Sequence, residues 1–160
     1  MGHNYGLTRR AALAGFLAIP LIRAEFAGAE TLPTIRVTKD PGCGCCGAWV
    51  DHVRAAGFTA EVIESGSVNR LKTRLGIPDE LASCHTAEVN GYVIEGHVPA
   101  SMIKRLLAEK PQAKGLAVPG MPVGSPGMEV NGVAPDTYDV VLFGPAGQRT
   151  YAHFRGTSQI

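Results

Sequence analysis

Apolar and polar residues alternate from Thr34 to Thr38, placing Ile35 and Val37 on one face, which predicts a half-buried strand. A Gly-rich stretch from Asp40 to Gly47 breaks that rhythm. Trp49, Val50, Val53 and Ala56 then recur at helical spacing, predicting a helix from about Cys46 to Ala56 with Gly57 as its C-cap. Phe58 to Ile63 reads as a second strand, parallel to the first across a βαβ unit. Val68, Leu71 and Leu75 mark a second helix, stopped by Gly76 and Pro78. After a connector from Leu81 to Thr86, Ala87–Val89 and Tyr92–Ile94 flank Asn90-Gly91, the strongest short signal for a two-residue hairpin. Pro99 opens a helix with Ile103, Leu106 and Leu107 on its apolar face, ending before Pro111. From Gly115 to Met128 half of the residues are Gly or Pro, and no regular element is expected. A last hairpin follows: Tyr138–Phe143, a Gly144–Gly147 turn, and Arg149–Phe154.

The first thirty residues follow a different pattern. Arg9-Arg10 precede an apolar run from Ala11 to Ile22, and Ala27-Gly28-Ala29 is an A-x-A cleavage signal. This is the order of an export signal, and the run is too short to span a bilayer. Thr8-Arg9-Arg10 with Leu13 also loosely matches a twin-arginine signal, so both general and folded-state export stay open. Residues 1–29 are expected to be cleaved, leaving residues 30–160 as one periplasmic domain with no membrane span.

Composition narrows the partners. With 160 residues, 45% hydrophobic and 18% charged, the chain can bury one core. Loss of Arg9, Arg10, Arg23 and Glu25 with the leader moves the formal charge from +1 to −1. That balance, with 6% aromatics, gives no footing for nucleic acid. No phosphate loop, nucleophile elbow or dinucleotide fingerprint occurs, and no carboxylate pair stands out.

The cysteines carry the chemistry. Cys43, Cys45 and Cys46 lie at the expected helix start, where unpaired N–H groups and the helix dipole favour thiolate. In an oxidising compartment four cysteines first suggest two disulfides. A bridge within Cys43–Cys46, however, closes a tiny loop and restricts the unfolded chain little. Such a site points to disulfide exchange or to soft metal. The element order strand, CxxC helix, strand, helix, hairpin, helix resembles a thioredoxin/glutaredoxin-like three-layer α/β fold with an added C-terminal hairpin. In that fold the loop entering the hairpin lies against the CxxC turn. Here that loop is Ser83-Cys84-His85-Thr86, with Cys84 and His85 where the fold usually has a cis-proline. Four thiolates and an imidazole would select Cu(I), zinc or an iron–sulfur cluster. Cys45 and Cys46 are adjacent and poorly placed to share one tetrahedral zinc, but they could bridge several Cu(I) ions. Met121 and Met128, in the Gly/Pro loop, add soft thioether donors or else anchor that loop. His85 is the best imidazole candidate, and His97 is either a ligand or the cap of the helix after Pro99. His52 is about 10 Å along the helix from Cys45 and is expected at the surface; His153 could be either.

Four separated motifs together resemble one family: Pro41-Gly42-Cys43-Gly44-Cys45-Cys46, Ser83-Cys84-His85-Thr86, Tyr92 through Pro99, and Val118-Pro119-Gly120-Met121-Pro122 with Ser125 through Glu129. They are similar to the CopG-type periplasmic copper-resistance proteins. The resemblance implies a thioredoxin-like fold and a cysteine-bridged, multinuclear copper site at Cys43, Cys45, Cys46 and Cys84. His85, His97, Met121 and Met128 are its further candidate ligands, and copper ions and other periplasmic copper-handling proteins its expected partners. The alternatives are a thiol–disulfide oxidoreductase using Cys43 and Cys46, and a structural zinc domain.

Overall fold

Ile35–Lys39 forms β1, with Ile35 and Val37 fully buried, and its parallel neighbour is Ala60–Glu64 (β2), in register Val37↔Val62. The computed structural model describes residues 1–3 and 31–160. The expected leader, its Arg9-Arg10 pair and its cleavage point after Ala29 lie outside the described residues. Between the two strands runs α1, Gly44–Ala55, with Cys46, Trp49, Val50 and Val53 turned inward. It begins two residues earlier than its apolar periodicity predicts, because Cys43 takes extended backbone as N-cap and the helix opens at once on Gly44. Trp49 is fully buried and its indole N–H donates to the Val98 carbonyl at 2.9 Å. Removing a ring of that size from water stabilises the fold by on the order of 5 kcal/mol before entropy.

Val68–Leu75 (α2) ends at Gly76, whose φ of +68° is the left-handed cap that glycine favours. A single 3₁₀ turn, Asp79–Leu81, leads to His85–Val89 (β3) and Tyr92–Glu95 (β4), paired antiparallel. Asn90 and Gly91 both have positive φ, as a type I′ turn requires. Ala100–Glu109 forms α3, burying Met102, Ile103 and Leu106.

Gly115–Ala117 is a strand, β5, where a Gly/Pro loop was expected. It pairs parallel with β4, and a Cβ at Gly115 would lie 1.7 Å from the Val93 carbonyl oxygen. Gly115 therefore permits the close approach that creates the strand, rather than breaking it. Thr137–Gly144 (β6), Gly147–Arg155 (β7) and the short Ser158–Gln159 (β8) extend the sheet antiparallel. The result is a mixed α/β fold. Among the described residues it holds three α-helices and one eight-stranded sheet, in the order β2-β1-β3-β4-β5-β6-β7-β8. No helix of the described residues is long and apolar enough to cross a membrane.

Register decides where the chemistry gathers. Lys39, the last residue of β1, pairs with His85, the first of β3. Thr86 pairs with Glu95 at the end of β4, and Glu95 pairs with Ala117 at the end of β5. The segments leaving β1, β4 and β5 and the one entering β3 thus emerge at one end of the sheet.

Candidate metal centre

The first of these segments is the cysteine turn. The Asp40 carboxylate accepts the Gly42 N–H at 2.8 Å and its carbonyl accepts the Cys43 N–H at 3.1 Å, so the turn is closed before the helix starts. Cys43, the extended N-cap, and Cys46, in the first turn of α1, form a disulfide with a Cα–Cα distance of 5.4 Å. Cys46 is fully buried, and Cys43 stays partly exposed. Cys45 is a free thiol with its Sγ 3.5 Å from that of Cys43. Cys84, the other free thiol, enters from the connector before β3, and all four sulfurs lie within 4.8 Å of one another.

Cys84 also faces two imidazoles. Its Sγ is 3.1 Å from His97 Nε2 and 3.4 Å from His85 Nδ1, and both histidines are fully buried. His97 Nδ1 lies 2.8 Å from the Pro126 carbonyl, which can only accept. Nδ1 therefore carries the hydrogen, and Nε2 presents its lone pair to Cys84. His85 packs 4.4 Å from the Trp49 ring and edge-on to His97. Its Nε2 has no hydrogen-bond partner among the described residues. Burial first, then the charges on His97 and Lys72, brings the His85 pKa down to about 3. His97 is lowered as well, by burial. Burial, with the charge on Cys45 next, lifts the Cys84 thiol to about 11. The resting site is thus two neutral imidazoles around a protonated thiol. A soft cation could displace that proton without first removing any from the rings.

The Gly/Pro loop covers this end of the sheet. Gly127, at φ +85°, is pressed so close to α1 that a Cβ there would be 2.6 Å from the Trp49 backbone nitrogen and 3.0 Å from the Cys45 carbonyl oxygen. Met128 follows it, half-buried, while Met121 is 54% exposed. His52, expected at the surface, is half-buried and caps a helix: its Nε2 accepts the Ala100 N–H at 3.1 Å. That is the role open to His97 from the sequence, and it falls to a histidine on the neighbouring helix. His153 is exposed and pairs with Asp139 at 2.7 Å.

Beneath the thiols lies a polar group the sequence reading missed. Glu95 is fully buried, paired with Lys72 and hydrogen-bonded to Thr86 and to the Ser83 N–H. One signal was present. Lys72 occupies the i+4 corner of the stripe Val68, Leu71, Leu75, a position that faces inward.

Soft sulfur and imidazole donors, gathered at one end of an α/β sheet, define a candidate binding domain for soft metal ions. A family model described as protein of unknown function, DUF411, matches residues 81–128, the span from the connector through Met128. Two solved structures of a copper resistance protein copG are 41% identical to this chain. Form 2 covers 77% of this chain and 98% of its own, with a TM-score of 0.73; Form 1 covers 78% and 99%, with 0.72. No curated protein sequence matches the chain. The chain belongs to the CopG family of copper resistance proteins.

Proposed function

We propose that this chain is an exported, periplasmic copper-binding protein that holds Cu(I) in a cysteine-bridged site of more than one ion. The supporting observation is that two donor groups share one thiol: Cys43, Cys45, Cys46 and Cys84 form the first, and Cys84, His85 and His97 the second. A thiolate common to two sets is placed to bridge two ions, one sulfur-rich and one with mixed sulfur and nitrogen ligation. His85 fits the same reading through Nδ1, which lies 3.4 Å from the shared thiol. Met128 and Met121 would supply thioethers from the covering loop. The order β2-β1-β3-β4, with β1 parallel to β2 and β3 antiparallel to both β1 and β4, supports a thioredoxin-like core to which β5–β8 are added.

The disulfide sets a condition. With Cys43 and Cys46 bonded, Cys45, Cys84, His85 and His97 remain as donors. Two electrons and two protons from a dithiol reductant release the other two sulfurs. Anaerobic Cu(I) titration of the reduced chain should therefore show more than one equivalent bound, and fewer with the disulfide closed. A limit of one equivalent or none in the reduced chain defeats the multinuclear reading.

The disulfide also favours a second reading, thiol–disulfide exchange at Cys43 and Cys46. A substrate thiolate attacking one sulfur expels the other as thiolate, and the helix N-terminus stabilises that leaving group. Insulin reduction separates the two readings. Exchange that survives Cys84→Ser but not Cys43→Ser supports the oxidoreductase.

A further inference from the structure

The connector that delivers Cys84 has no secondary structure of its own from Ala82 to Cys84, yet its sulfur must meet two histidines and three cysteines. What holds it is the tripeptide Glu95-Gly96-His97, leaving β4. The Glu95 carboxylate accepts the Ser83 N–H at 2.6 Å. Gly96, at φ +71°, lies flat against Ser83, and a Cβ there would fall 2.5 Å from the Ser83 hydroxyl. His97 Nε2 reaches the Cys84 sulfur at 3.1 Å. The Ser83 hydroxyl closes the ring by donating to the Gly120 carbonyl, and the Gly120 N–H donates to Ala82.

Glu95 can serve in this way only because its charge is matched. Its carboxylate is fully buried, and Lys72, itself 8% exposed, donates to it and to the Thr86 hydroxyl at 2.8 Å. Thr86 in turn donates to the second carboxylate oxygen at 2.7 Å. A buried ion pair of this kind rarely adds stability over apolar residues of the same shape. Here one of its oxygens is also directed at the residue before the bridging thiol.

We propose that Lys72 and Glu95 are positioning residues for the metal site: the paired carboxylate clamps the Ser83 N–H and so holds Cys84 within reach of both donor groups. This rests on the copper reading for its functional consequence, but the clamp itself can be tested without metal.

The test compares two charge-free replacements in the full chain. Lys72→Met/Glu95→Gln keeps an amide oxygen where the Ser83 N–H needs an acceptor. Lys72→Met/Glu95→Met has the same length and neutrality without that acceptor. Both remove the ion pair, so a role confined to charge or packing affects them alike. The first readout is Cu(I) affinity and stoichiometry by competition with a chromophoric Cu(I) chelator. The Gln form should stay close to wild type. The Met form should weaken at least tenfold and bind no more copper than Cys84→Ser.

The second readout needs no metal. In a Cys45→Ser background with the Cys43–Cys46 disulfide closed, Cys84 is the one free thiol. Its alkylation by iodoacetamide should run severalfold faster in the Met form than in the Gln form. A third measurement uses the wild type alone, in case the Met form does not fold: the Ser83 amide should exchange its hydrogen at least a hundredfold slower than an unstructured amide. Equal behaviour of the Gln and Met forms, or a Ser83 amide that exchanges freely, overturns the proposal. If copper binding fails in the wild type while the alkylation contrast holds, the copper reading falls and the clamp stands.

Discussion

Replacing His85 with phenylalanine separates what the fold needs from what the site needs. The imidazole is fully buried, its Nε2 has no partner, and its Nδ1 has only the 3.4 Å contact with the Cys84 sulfur. An unsatisfied buried polar atom costs about 1–3 kcal/mol, whereas a long sulfur contact returns a fraction of that. Phenylalanine has nearly the same outline and can keep the ring contact with Trp49, 4.4 Å away. At pH 7 the metal-free variant should therefore be as stable as wild type or up to about 2 kcal/mol more stable. For a domain of this size that is an upward shift in Tm of a few degrees.

Acid should widen the gap. The His85 pKa falls from 6.5 in the unfolded chain to about 3 in the folded one. Between those values the unfolded chain binds a proton that the folded chain does not. Stability therefore falls as pH falls through this window, with the full penalty reached by about pH 3. At about 1.4 kcal/mol per pH unit, the share lost between pH 6.5 and pH 4 is roughly 3 kcal/mol. His52 is lowered too, but it titrates in both proteins and cancels in the difference; His97 packs against the ring at position 85 in both proteins, and its lowering by burial is common to them. Urea denaturation of both metal-free proteins at pH 7 and pH 4 measures the contrast. Parallel pH dependence, or a variant more than about 1 kcal/mol less stable at pH 7, refutes the view that His85 is held neutral at the expense of stability. With Cu(I) present the order should reverse, because binding stabilises the wild type more.

Other consequences follow from the same geometry. Because the Cys84 thiol sits near 11, Cu(I) must displace its proton at neutral pH, so affinity at this ligand should fall about tenfold per pH unit between roughly pH 9 and pH 7. The two imidazoles, both lowered, should add no slope there; a flat competition curve contradicts this. Gly115→Ala would push a methyl into the Val93 carbonyl and should destabilise the fold by more than about 3 kcal/mol, read by urea midpoint. Gly127→Ala combines positive φ with a collision against the Trp49 backbone nitrogen, and the Pro126 carbonyl that orients His97 is its immediate neighbour. It should weaken copper binding severalfold while lowering Tm by only a few degrees, and unchanged affinity would separate the loop from the site.

Local rules made much of the fold legible. Asn90-Gly91 demanded a tight hairpin turn, and Trp49, Val50 and Val53 repeated at helical spacing; both features are present. What could not be read locally came from contacts between distant segments. Gly115 looks like a breaker in isolation, and only the backbone of β4 beside it shows why a missing side chain makes a strand. His52 leaves its expected surface position for the capping role that was open to His97, because helix capping depends on which helix stands beside α3, which periodicity cannot tell. The Cys84 approach to His97 depends on strand register, through the pairs Lys39↔His85 and Thr86↔Glu95.

The departures from ordinary packing are not scattered. A buried lysine, a buried glutamate, an imidazole with an idle nitrogen and a thiol made harder to ionise all lie within the segments that surround Cys84. Each alone lowers the stability of a metal-free domain or adds nothing to it. A sequence selected for folding alone would have little reason to place all of them at one end of one sheet. His85 faces the one thiol that belongs to both donor groups, and the Lys72–Glu95 pair holds the N–H of Ser83, the residue before it. That concentration is hard to account for by packing and is expected if these segments are arranged to hold a cation at the Cys84 sulfur and the imidazole nitrogens that face it.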